Sequence, residues 1–353
     1  MAVFSIPGAK ISGISACVPS EIRYTKNYDR MSENEKNLFI KTVGVESRRV
    51  TGKGMTTLDL CVTAAEKLIT ELGWNRNEIE LLVFITQSKD YYLPGNGTIA
   101  QDKLRLSRNC MAFDIGLGCS GYIYGLSVAA SILRAAGIKK ALLLAGDIST
   151  VNTSYEDKSV FPLFGDAGTA TAIENSSDSG KWSFNLFSDG SGFESIMIPD
   201  GGMRNRISQD SSFVYRTFEN GNSRTPLHLA LKGIDIFNFS IGEVPRSVRE
   251  LLAFENRTIG DFDYFILHQA NKLMNETIRK KLGIEKNKVP YSIQKFGNTS
   301  SASIPLTVVT ELGQKARENN LSLFLSGFGV GLSWGNVSLN TNHIVCPEII
   351  NAG

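Results

Sequence analysis

The sequence predicts an α/β fold in layers, written twice. Three observations carry this. Short apolar runs alternate with longer helical patterns, which argues for sheets covered by helices. The apolar runs are near-continuous and not alternating, as expected of strands buried on both faces. Landmarks in the first half of the 353 residues recur in the second at one offset, close to 180. At roughly 150 residues per domain, the length also suits two units or one large two-part fold.

In chain order, the first helical pattern is residues 57–72, followed by an apolar strand at 81–86 (LLVFIT). A helix at 120–136 follows a glycine-flanked cysteine, and a strand at 141–145 (ALLLA) precedes a turn into GDAGTATAI. The second half repeats the order. A helical stretch at 227–253 leads to a strand at 264–267 (YFIL), helices at 272–282 and 303–319, and a strand at 321–325 (LSLFL). That strand runs into GVGLSWGNVSL. The offsets are about 182 from Thr86 to His268, about 179 from Cys119 to Asn298 and about 180 from Ala141 to Leu321. Two readings fit: a duplicated unit with a site between the halves, or one large domain whose regular alternation imitates duplication. On the first, the halves are residues 1–174 and 175–353. The stretch at about 175–224, rich in Ser, Gly, Asn and Asp, has no first-half match and reads as a strand-and-loop insertion.

Composition removes several function classes. Hydrophobic residues make up 42% and charged residues 20%, which is ordinary globular usage. The net charge is +2 (37 − 35), so there is no global pull on nucleic acid or anionic lipid. The five cysteines are odd in number and contain no CxxC pair, which speaks against a disulfide framework and a zinc site. The longest apolar stretch, near 123–138, is too short to span a bilayer, and the N-terminus lacks a signal-peptide pattern. The expectation is a cytoplasmic protein without metal, membrane or nucleic-acid partner.

Four segments hold candidate chemistry. In DIGLGCSGYIYGL (114–126), Cys119 lies between glycines at a helix start. There, free N–H groups and the helix dipole are expected to lower its pKa and favour the thiolate. Cys17, Cys61, Cys110 and Cys346 lack such a setting and read as buried, inert thiols. In FILHQAN (265–271), His268 ends an apolar strand, where α/β sheets place their ligands. His228 and His343 have no comparable position. In FGNTSSASIP (296–305), Asn298 precedes small polar residues; helix capping alone accounts for an Asn there, but the offset sets it opposite Cys119. In SGFGVGLSW (326–334), three glycines in five residues make a tight loop whose N–H groups suit an oxyanion hole. It lacks the spacing of a phosphate-binding loop.

Taken together, these segments resemble the ketoacyl-ACP synthase III family of the thiolase superfamily. LFGDAGTATAI (163–173), VPSEIRYTKN (18–27) and VGVESRRV (43–50) fit as well, so the resemblance covers nearly the whole chain in order. It implies a thiolase-like five-layered αβαβα fold of two duplicated halves, in a homodimer. It also implies decarboxylative Claisen condensation of an acyl thioester with malonyl-ACP through an acyl-Cys119 intermediate. His268 and Asn298 would hold the malonyl thioester carbonyl. The backbone N–H of Cys119 and one from Gly329 or Val330 would form the oxyanion hole for acylation. Leu93, Phe328, Gln269 and Asn271 are expected at the substrate pocket, Leu93 on a loop that reaches across the dimer. Lys158 and Lys272 are expected in the carrier or coenzyme A region. No cofactor is implied; acyl-ACP or acyl-CoA and malonyl-ACP are substrates, and the acyl carrier protein is the partner.

The chain departs from that family in places. Leu38 and Thr42 stand where the coenzyme A site has a Trp and an Arg, and Lys158 replaces an Arg that closes over the adenine. Acyl-ACP then suits the first donor better than acyl-CoA. Lys272 also stands where an Arg often follows HQAN. A thiolase would need a second cysteine in GFGVG. A hydroxymethylglutaryl-CoA synthase would need a Glu where Thr86-Gln87-Ser88 stands, and chalcone-synthase-like enzymes usually carry Pro at Val330. Polyketide-type condensation, acyl transfer to an alcohol or amine without decarboxylation, a Cys-His hydrolase and a catalytically silent partner subunit are the rival readings.

Overall fold

The computed structural model describes residues 2–176 and 180–353; the expected insertion's residues 177–179 lie outside the described residues. Its first part runs β1 (Ala2–Pro7), β2 (Ala9–Pro19), β3 (Ile22–Tyr24), α1 (Glu33–Thr42), β4 (Ser47–Arg49), α2 (Thr57–Leu72), β5 (Ile79–Ile85), α3 (Asn96–Lys103), β6 (Met111–Ile115), α4 (Gly121–Ala136), β7 (Lys140–Ile148) and β8 (Asp166–Asn175). The second runs β9 (Lys181–Ser188), β10 (Ile196–Met197), β11 (Arg216–Thr217), β12 (Ser223–Arg224), β13 (Ala230–Leu231), α5 (Gly233–Glu255), β14 (Tyr264–Leu267), α6 (Lys272–Leu282), α7 (Ile293–Phe296), α8 (Ser303–Glu318), β15 (Asn320–Gly329), β16 (Ser333–Asn342) and β17 (Ile350–Ala352).

Two sheets form, ordered β17-β2-β8-β7-β5-β6 and β1-β9-β16-β15-β14. In the first, β5 is parallel to β7, β7 antiparallel to β8, and β8 antiparallel to β2. In the second, β14 is parallel to β15, β15 antiparallel to β16, and β16 antiparallel to β9. The two halves therefore share one strand order, which is the duplication the offsets predict. The outermost strands cross over: β1 pairs with β9 of the second sheet and β17 with β2 of the first.

The apolar strands divide their side chains between layers. Leu81, Val83 and Ile85 face a core shared with α4 and α8, while Leu82 and Phe84 face a second core with α2. In the other sheet Ile266, Leu323 and Leu325 face the shared core, and Phe265, Leu267 and Phe324 pack with α5 and α6. Period-two alternation thus sends one run of apolar residues to two opposite helix layers. The result is α2, sheet, α4 with α8, sheet, α5 with α6: the five layers.

Local chemistry sets the helix ends. Thr56 and Asp59 form a reciprocal cap on α2, which stops at Gly73 in the left-handed region (φ 61°). Asn271 caps α6 by accepting from the Met274 N–H. Both helices have their expected bounds. The pattern at 227–253 begins late, at Gly233, because Ala230 and Leu231 pair with β10 as strand β13. The expected insertion needs correction at its start. β9 is no insertion; it pairs with β16 as β2 pairs with β8, so the excursion begins only after Ser188. β2 was not among the strands read from the sequence, which left β9 without a visible counterpart.

Candidate active site

The strand ends of both sheets meet the N-terminal ends of α4 and α8 around one cavity of about 930 Å³, including its open mouth. Cys119, His268, Asn298, Phe328, Gly329, Val330 and Asn271 all line it. Apolar side chains, among them Leu163, Phe164, Ile196, Leu229, Leu231 and Ile236, make up much of the remaining wall. Such a lining with a few converging polar groups is the usual form of a small-molecule site.

Cys119 is buried just before α4. The backbone of Cys119 and Val330 and the Ser300 side chain each favour the charged form of the sulfur. The last strand makes this fit possible: a Cβ on Gly329 (φ 154°) would sit 2.7 Å from Cys119 Cβ and 2.8 Å from Sγ. The expectation of a favoured thiolate is corrected. Burial pushes the thiol up to about 11, with the Asp147 carboxylate adding to the rise, and those three contributions do not offset it. At neutral pH Cys119 is therefore a neutral thiol.

His268 follows β14 and is 1% exposed. Its Nδ1 hydrogen-bonds Ser303 Oγ at 2.6 Å, and its ring stands edge-on to Phe328 with centroids 5.7 Å apart. Burial holds it down to about 3 against the Ser300 backbone, so the imidazole is uncharged at neutral pH. Asn298 is held at both backbone ends, its N–H donating to Leu163 O (2.9 Å) and its carbonyl accepting from Gly165 N–H (3.1 Å). Its Oδ1 accepts from the Ser300 N–H (2.9 Å), which leaves the amide N–H₂ as a donor. Gly297 (φ 67°) precedes it where a Cβ would meet Leu163 O at 2.7 Å. Sequence reasoning placed Asn298 at a helix start; a 3-10 turn over Ser300–Ala302 intervenes before α8.

Gln269 and Leu93, expected at the pocket, do not line this cavity; Lys158 and Lys272, expected in the carrier or coenzyme A region, lie outside it. Gln269 is fully buried and turned from the cavity: its amide donates to Leu267 O (2.8 Å) and accepts from the N–H groups of Ser292 and Ile293. Leu93 is 86% exposed and does not line the cavity of its own chain. Lys158 pairs with Glu35 on α1 at 2.9 Å, and the Lys272 side chain packs over Gly44. Neither lysine reaches the cavity. Gln87, Asp147 and Ser300 line it and were not singled out. For Ser300 the signal was present in GNTSS; for Asp147 nothing local marks it.

A duplicated five-layer fold with a thiol, a neutral imidazole and an amide round one cavity defines a thiolase-fold protein. The comparisons name the branch. Residues 113–190 match the family described as 3-oxoacyl-[acyl-carrier-protein (ACP)] synthase III, and residues 252–341 match its C-terminal part. A β-ketoacyl-[acyl-carrier-protein] synthase III of Clostridium perfringens is 30% identical, covering 93% of this chain and 97% of its own. The crystal structure of a 3-oxoacyl-(acyl-carrier protein) synthase from Burkholderia xenovorans LB400 superposes with a TM-score of 0.93 at 34% identity, covering 99% of both chains. The priming β-ketosynthase of the R1128 polyketide pathway shares the fold, with a TM-score of 0.80 at 24% identity. The chain belongs to the 3-oxoacyl-ACP synthase III family.

Proposed function

We propose that the protein joins an acyl thioester to malonyl-ACP by decarboxylative Claisen condensation, giving a 3-oxoacyl-ACP. The observation that carries this reading is the convergence of Cys119, His268, Asn298 and the Gly329–Val330 backbone on one cavity. In the first step the Cys119 sulfur attacks the donor's carbonyl carbon. The backbone N–H groups of Cys119 and Val330 stabilise the oxyanion, and the carrier thiol leaves with the proton. In the second step the malonyl carboxylate departs as carbon dioxide. Its bonding pair becomes an enolate whose oxygen is held by the Asn298 amide and the His268 ring N–H. When the Ser303 hydroxyl, 2.6 Å from Nδ1, is the donor in that contact, the ring proton is on Nε2. The enolate carbon then attacks the acyl-Cys119 carbonyl, and the cysteine leaves and takes up a proton. A neutral imidazole suits this role because its N–H hydrogen-bonds the enolate oxygen but is too weak an acid to protonate the enolate.

The acyl carrier protein is the partner this reaction needs. Lys158 stands where an adenine-closing Arg is expected and pairs with Glu35, which supports acyl-ACP as first donor. The working form is a homodimer: β6 is a sheet edge, and Tyr91, Tyr92 and Leu93 are 61%, 74% and 86% exposed. A second copy would cover both and bring Leu93 toward the partner's cavity. Five free cysteines fit a reducing compartment, the cytoplasm.

The test is intact mass after incubation with acyl-ACP, followed by malonyl-ACP with carbon dioxide measured. An acyl adduct lost in Cys119→Ala is expected, as are His268→Ala and Asn298→Ala variants that acylate but release little carbon dioxide. Acyl transfer with no carbon dioxide would replace this reading by transfer to an alcohol or amine. An adduct surviving Cys119→Ala would end it.

A further inference from the structure

We propose that Asp147 is a positioning residue, which holds residues 298–303 of the second half against the nucleophile loop of the first. The proposal rests on the condensation reading above. Asp147 lies near the end of β7, 1% exposed, in the cavity wall. One carboxylate oxygen accepts from Thr86 Oγ1 (3.0 Å), the Gln87 N–H (2.8 Å) and Ser88 Oγ (3.2 Å), all at the end of β5. The other accepts from Ser301 Oγ (2.8 Å) and the Ser301 N–H (3.2 Å). Each oxygen thus serves a different half of the fold.

The short segment so held carries or adjoins the three side chains the reaction uses. Asn298 opens it. Ser300 Oγ stands beside Gly118, the neighbour of Cys119, where a Cβ would meet it at 3.0 Å, and Ser303 meets His268 Nδ1 at 2.6 Å. Ser300 is also in the left-handed region (φ 50°), which a serine seldom adopts and which persists only when its surroundings fix it. Ser301, the next residue, is the one fastened to Asp147. A buried carboxylate is costly to keep and is retained where hydrogen bonds satisfy it. Its charge does not help the thiol ionise, since it raises the Cys119 pKa. What Asp147 contributes is placement.

Asp147→Asn is the discriminating variant. The hydroxyl partners can turn round, but the Gln87 and Ser301 N–H groups cannot. The amide nitrogen must face one of them whichever way it lies. Cys119 acylation is expected within about threefold of wild type, while carbon dioxide release falls at least about tenfold in kcat with KM for malonyl-ACP little moved. Hydrogen exchange should quicken in the peptide containing residues 298–303 and not in α2. Loss of the removed charge should lower the midpoint of Cys119 alkylation with pH, which a general loosening would not do. Parallel loss of both half-reactions, or loss of neither, overturns the proposal. Should the wild type release no carbon dioxide, the reaction reading fails by itself, and exchange decides Asp147: faster only at 298–303 supports it, unchanged overturns it. Ser301→Ala, which removes one hydroxyl donor, reads the same ratio with a smaller effect if Asp147→Asn does not fold.

Discussion

Replacing Gly329 with alanine tests how closely the last central strand is fitted to the nucleophile. The added methyl would lie 2.7 Å from Cys119 Cβ and 2.8 Å from Sγ. Carbon contacts are comfortable at about 3.5–4.0 Å, so the strand and the thiol must separate by roughly 1 Å. Overpacking of that kind costs about 1–3 kcal/mol. The backbone at φ 154°, outside the range an alanine favours, adds a cost of similar order, about 1–3 kcal/mol. Global stability should therefore fall by about 2–6 kcal/mol in urea titration. The chemical effect should be larger than the thermal one suggests. A sulfur displaced by roughly 1 Å from the N–H groups of Cys119 and Val330 should acylate about 100-fold more slowly. The assay is the rate of acyl-adduct formation by intact mass. Gly190→Ala, where an added Cβ meets nothing within 4 Å, serves as the control. Wild-type acylation together with wild-type stability in Gly329→Ala would show that this strand does not bear on the sulfur, and the oxyanion assignment would fall with it.

Two further outcomes follow from the same geometry. Because burial favours the protonated thiol and lifts it to about 11, only about 10⁻⁴ of Cys119 is thiolate at pH 7, and deprotonation needs alkaline solution. Its alkylation by iodoacetamide should climb about tenfold per pH unit from 7 to 10, and a plateau below pH 9 would contradict the buried-thiol picture. Arg224, on the excursion after Ser188, pairs with Asp157 at 2.8 Å, and the Asp157 side chain is 1% exposed. Arg224→Ala leaves that carboxylate buried without its cation and should cost about 3–5 kcal/mol. Chymotrypsin should then cut faster near Met203 and Phe213, which are already exposed; an unaltered digestion pattern with an unaltered melting temperature would refute the tie.

Legibility differed between strands for a physical reason. β5, β7, β14 and the first part of β15 are squeezed between two helix layers, so both faces are apolar and the run is continuous. β8 is as deeply buried but reads DAGTATAIEN. Helix α2 presses on it so closely that a Cβ on Gly168 would sit 2.5 Å from the Cys61 nitrogen, and small residues replace large apolar ones there. At the site, Cys119, His268 and Asn298 carried local marks: a glycine setting, a strand end, a repeat offset. Gln269, the neighbour of His268 just past β14, points the other way to hold Ser292 and Ile293. Asp147 was invisible because its meaning lies in partners 60 and 154 positions away.

The exchange of outer strands also sets an order on biosynthesis. β1 is translated long before β9, the strand it joins, and part of the edge of β2 stays open until β17 arrives beside it. The nucleophile half is thus exposed as an unfinished sheet for nearly the whole of translation, in the state most prone to pairing with a stranger. Slow release of residues 350–352, or a bulky fusion just beyond them, would be felt first as aggregation during expression. The defect would trace to the end of the chain remote in sequence from Cys119.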